Sequence, residues 1–128
     1  MKNSYKIIAE NLSYWKKSLG LDPWEIKVVF RTRDDMKCGG EAEVEISESL
    51  RRAIISILTP DEYEKYEEHS DLFPQDLEQT LVHELLHIPL ESIAKPKTGT
   101  AEDIILENFV EQTAKALVNE NRAHRDGA

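Results

Sequence analysis

The chain carries a single cysteine, Cys38, among its 128 residues. That excludes an intrachain disulfide and any zinc ribbon built on cysteine pairs. A small buried or loop thiol is the plain reading of Cys38, an inhibitory metal ligand the other. Long apolar runs are missing too. No stretch approaches the roughly 20 residues that span a bilayer. The opening MKNSYKIIAENLSYWKKSLG is charged throughout, where a signal peptide is continuously apolar. A cytoplasmic protein with no membrane partner is expected. Positive charge is scarce, with 16 Lys and Arg against 25 Asp and Glu and a formal net charge of −9. Nucleic-acid binding relies on Lys and Arg neutralising phosphates, so this balance argues against it, and against docking on anionic lipid. What remains is ordinary, 40% hydrophobic and 32% charged residues. It suffices for one domain with its own core, residues 1–128, without internal repeat or linker.

The periodicity predicts an α+β fold. Tyr5, Ile8, Leu12, Trp15 and Leu19 recur at three- and four-residue steps, one face of a helix that Gly20 caps and Pro23 blocks. Trp24, Ile26, Val28 and Phe30 alternate with charged residues in a strand. EAEVEIS alternates Ala42, Val44 and Ile46 with Glu41, Glu43 and Glu45. This reads as an edge strand with a wet, acidic face. RRAIISIL, ending at Leu58, is a more buried strand. A short helix is expected near Asp61–Glu68. A longer one runs from about Gln75 to Ile88 and stops before Pro89. The last begins near Thr100, which forms a capping box with Asp103, and reaches about Asn121. Residues 120–128 are expected to fray or to cover a cleft.

LVHELLHIPL places His83, Glu84 and His87 in an H-E-x-x-H pattern on a helix. Positions i and i+4 lie about 40° apart around the axis, so both imidazoles point the same way and can share one zinc ion. Glu84 is displaced by roughly 60° from His87, too far to be the easy third ligand but near enough to reach a metal-associated water. Leu77, Leu81, Leu85 and Ile88 form a stripe widened by Val82 and Leu86, so the helix is central and its polar strip (Asp76, Thr80, His83, His87) lines a cleft. In the following helix the core-facing positions 104, 107, 111, 114 and 118 read Ile, Glu, Glu, Ala, Val. Two carboxylates on such a face need compensation, which a zinc ion for Glu107 and an imidazole N–H for Glu111 would provide. The alternative is a face open enough for both to reach water.

The pairing of His83-Glu84-Leu85-Leu86-His87 with a glutamate twenty residues on in a second helix resembles the gluzincin zinc metallopeptidases. Element order and length are similar to the single-domain minigluzincins. The resemblance implies a three-stranded sheet preceded by a helix and followed by an active-site helix and a glutamate helix. It assigns His83, His87 and Glu107 as zinc ligands, Glu84 as general base and Glu111 as the carboxylate that orients the first histidine. The downstream motif here is ENFVE, with Glu111 where the family commonly has aspartate. The implied activity is hydrolysis of peptide or protein substrates, the peptide lying along the edge strand 41–48. In minigluzincins a tail can hold the enzyme latent, a role that would fall near His124. Tyr63, Tyr66 and His69 are the candidate oxyanion donors, although a solvated acidic helix and loop is the plainer reading of that stretch. Two imidazoles and a carboxylate suit zinc and leave cobalt, manganese and iron open. A non-catalytic zinc module on the same scaffold is the main alternative. A DNA-repair protease is a third, disfavoured by the missing basic and cysteine-rich parts.

Overall fold

A computed structural model describes residues 2–127. They form α1 (Lys2–Ser18), β1 (Glu25–Arg31), β2 (Ala42–Ser47), β3 (Arg52–Leu58), α2 (Pro60–Tyr66), α3 (Leu77–Glu91) and α4 (Ala101–Gly127), an α+β arrangement. Ile8 and Trp15 on one face of α1 are buried. The helix ends as Gly20 and the capping pattern require. Gly20 takes φ +72°, while Leu21 N–H donates to Lys16 and Gly20 N–H to Lys17. This is the paired C-terminal closure that favours glycine in the left-handed region.

The three strands lie in the order β1-β3-β2. β1 pairs parallel with β3, and β2 pairs antiparallel with it. β2 is therefore an edge, and β3 is the buried centre expected of its apolar run. Ala53, Ile55 and Ile57 from β3 join Trp15, Leu81, Leu85, Ile88, Ala114 and Val118 in one core. α3 packs against α1, α4 and the β2 and β3 strands of the sheet. Leu81, Val82, Leu85 and Ile88 are all buried.

Helix starts follow their caps. Thr59 accepts from Glu62 N–H ahead of Pro60, and Asp76 accepts from Gln79 N–H. Thr100 accepts from Asp103 N–H, and Asp103 accepts in turn from Gly99 N–H, a near relative of the expected box.

Three expectations need correcting. α3 does not stop before Pro89 but continues to Glu91. Pro89 falls in its last turn, so the helix forgoes one hydrogen bond with little left to disrupt. Residues 122–127 are not a separate tail after a helix ending near Asn121; they extend α4. Arg122 clasps Asp76 with two hydrogen bonds of 2.9 and 2.8 Å. Arg122 and Arg125 both reach Glu78, only 5% exposed, which also accepts from Trp15 Nε1 at 2.7 Å. His124 is exposed and pairs with Glu120 on its own helix. Ala128 lies outside the described residues. Third, Ile104 is not a core residue but 57% exposed, and Val110 is buried instead. Where α4 begins, α3 is ending, so less surface is there to cover it.

Candidate metal centre

α3 and α4 run alongside each other, and their polar strips meet at one place. His83, Glu84 and His87 each offer a ligand atom within 4.8 Å of the others. From α4, Glu107 spans both imidazoles. Its Oε2 is 3.2 Å from His83 Nε2 and its Oε1 is 3.0 Å from His87 Nε2. Two ligands bonded to a tetrahedral zinc at about 2.0–2.1 Å stand roughly 3.3 Å apart. The spacing between Glu107 and the two nitrogens is close to that edge length. Two nitrogens and one carboxylate are also the donor set of an open catalytic zinc site. The residues fit the ion.

Glu111 lies 3.4 Å from the other ring nitrogen of His83, Nδ1. Nε2 of the same ring faces the cluster. The two glutamates are only half-buried, with side chains 48% and 40% exposed. Burial therefore does not force compensation on them: the face is open enough for both to reach water. Burial holds His87 below its ordinary range, against the Glu107 charge. A neutral imidazole is the form that ligates.

Glu84 faces inward and is 6% exposed. Burial pushes its carboxyl up to about 7, against the pull of His83 and with the further push of Glu107, Glu41 and Glu43. A carboxyl poised near neutrality suits a group that takes up and returns a proton.

A cavity of about 300 Å³ opens beside the cluster, and Tyr63 and Tyr66 line it together with Glu84, Glu107 and Glu111. Tyr63 donates its hydroxyl to the Phe73 carbonyl at 2.6 Å. Tyr66 lies under the Arg33 guanidinium. His69 is in the loop after α2 and is not part of this lining. On the other side of the cluster a groove lined by Val44, Ile46 and Leu90 runs along β2. Cys38 borders the groove, and burial pushes its thiol up while Sγ donates to the Ala42 carbonyl at 3.6 Å. A protonated, engaged thiol is a poor metal ligand.

Glu41 departs from the wet face expected of the edge strand. Its carbonyl continues the β2–β3 pairing by accepting from Leu58 N–H, and the residue lines the cavity. The role of Glu78 was not apparent from sequence, where it read as a solvated acid on a charged stretch.

No protein-family model, curated protein or solved structure matches the chain. Among the described residues no helix is long and apolar enough to cross a membrane.

Proposed function

We propose that the protein is a zinc-dependent metallopeptidase of the gluzincin type, similar to the minigluzincins, with His83, His87 and Glu107 as ligands and Glu84 as general base. The observation that carries this reading is the position of Glu107, 3.0 and 3.2 Å from the two Nε2 atoms with Glu84 buried beside them. A zinc ion held by His83, His87 and Glu107 would supply Lewis acidity. Glu84 accepts the proton of the attacking water on its carboxylate and returns it to the departing amine nitrogen. Glu111 keeps His83 in the ligating tautomer. The peptide lies across the cluster between the cavity and the groove, with β2 as the strand edge that pairs with it.

The test is Glu84→Gln assayed on a casein-like protein beside the wild type, with metal content measured for both. The reading expects hydrolysis to fall by about 10²- to 10⁴-fold while zinc is retained. Equal hydrolysis by both proteins would contradict it.

One observation favours a second reading, a non-catalytic zinc module. Tyr63, the most enclosed oxyanion candidate, already gives its hydroxyl proton to the Phe73 carbonyl. Zinc bound at His83, His87 and Glu107 with no hydrolysis by the wild type would support the module.

A further inference from the structure

β1 forms the second edge of the sheet, away from the metal cluster. Glu25 N–H donates to the Arg51 carbonyl and the Arg31 carbonyl accepts from Thr59 N–H, both towards the β3 side. In a parallel ladder that direction repeats at every second residue, so Lys27 and Val29 also bond to β3. The N–H and C=O groups of Ile26, Val28 and Phe30 therefore point away from the sheet. Among the described residues they have no main-chain partner, and β3 is the one element that packs extensively on β1.

An open row of donors and acceptors is a template for a further strand, and folded proteins blunt such rows with charge, proline or bulges. The two edges of this sheet differ in that respect. β2 carries Glu43 and Glu45, and Glu43 accepts from the Lys37 and Cys38 N–H groups, which folds the preceding segment against it. β1 contains no proline, and its pairing with β3 runs from Glu25 to Arg31 without a bulge. It is also a basic stretch of an acidic chain, with Lys27 and Arg31 against Glu25 in a molecule of net charge −9.

The strand is complementary to itself. Laid antiparallel about Val28, a second copy meets every outward group: Ile26 pairs with Phe30 of that copy, and Val28 with its own equivalent. In this register Glu25 stands opposite Arg31 of the second copy at both ends of the seam. These are the close, non-hydrogen-bonded positions where opposite charges attract most. A slip of one residue sets outward groups against inward ones. A slip of two sets Lys27 against Lys27 of the second copy in one direction and against its Arg31 in the other, and like charges directly opposite are destabilising. Lys27 thus selects the register. On the core side Val28 and Phe30 are only half-buried, and Tyr5, 46% exposed, meets Phe30 edge-on at 4.8 Å. We propose that β1 is a dimerisation edge, through which two copies of this chain join antiparallel along Glu25–Arg31 into one continuous sheet with a β2 strand at each outer edge. The metal clusters lie beside β2, away from the seam, so the inference stands apart from the peptidase reading.

The test is sedimentation of the full chain across a range of concentrations, under reductant so that Cys38 cannot bridge copies. The wild type is expected to show a reversible monomer–dimer equilibrium. Glu25→Arg and Arg31→Glu each set like charges against each other at both ends of the seam, and each should weaken the dimer roughly ten-fold or more. Mixed in equal amounts, the two variants bring a glutamate opposite an arginine at both ends again, so a heterodimer of about wild-type affinity should form. Val28→Pro removes the central donor, which points away from β3, and leaves the β1–β3 ladder its bonds; it should give a folded monomer. If Val28→Pro fails to fold, the charge variants decide alone. A wild type that stays monomeric up to about 1 mM overturns the proposal. So does a dimer that neither charge variant weakens, or one that their mixture fails to restore.

Discussion

Glu84 is held at a cost to the fold. In the metal-free protein its folded-state pKa of about 7 stands above the 4.5 of an ordinary glutamate. The folded protein therefore keeps a proton that the unfolded chain releases. This contribution to stability is full below about pH 4.5 and is lost as pH rises through 7, a change of a few kcal/mol. Glutamine has no such charge to desolvate. Urea unfolding in the presence of chelator should show Glu84→Gln more stable than wild type near pH 8 and closely similar near pH 5. A variant less stable than wild type near pH 8 would contradict the burial argument. The pattern of His83, Glu84, His87 and Glu107 was legible in the sequence because helical spacing fixes which side chains share a face. Glu41 and Glu43 were legible only as outward glutamates of an edge strand, because no local pattern tells that one lines the cavity and the other the groove.

The element that sets the site is α4, which is seated by Val110, Ala114 and Val118 in the core and clasped at its far end. Glu107 and Glu111 face α3 at one end of the helix pair, while Arg122 and Arg125 grip Asp76 and Glu78 at the other. Arg122→Ala leaves the buried Glu78 carboxylate with fewer donors and frees Asp76. Chemical denaturation should show a loss of about 1–3 kcal/mol. Burial pushes the Asp76 carboxyl up, but Arg122 and the Gln79 N–H outweigh it and hold the group below its ordinary 3.8. Stability from this clasp is thus present above about pH 4 and disappears as pH falls through the lowered folded value, so Arg122→Ala should flatten the acid limb of a stability profile. Truncation before Arg122 should lower the melting temperature without raising hydrolysis. An active, equally stable truncation would instead make the tail an inhibitory cover. Most element positions were readable from period, caps and Gly20. The tail was not, because its anchors, Asp76 and Glu78, lie some 45 positions away in sequence and no local pattern links them to Arg122 and Arg125.

At the scale of the whole molecule, a chain of net charge −9 gathers Glu41, Glu84, Glu107 and Glu111 around a single cavity. A cation bound to the folded state alone stabilises it in proportion to the logarithm of its concentration over Kd, about 2.7 kcal/mol at a hundredfold excess. Chelation should lower the melting temperature, and one equivalent of zinc should restore it in wild type but not in His83→Ala. The most direct measurement is anomalous diffraction at the zinc edge from crystals of the zinc-loaded protein. The account predicts one peak about 2.0–2.2 Å from His83 Nε2, His87 Nε2 and a Glu107 carboxylate oxygen. A peak that excludes Glu107, or zinc bound elsewhere with the two imidazoles unligated, would contradict it.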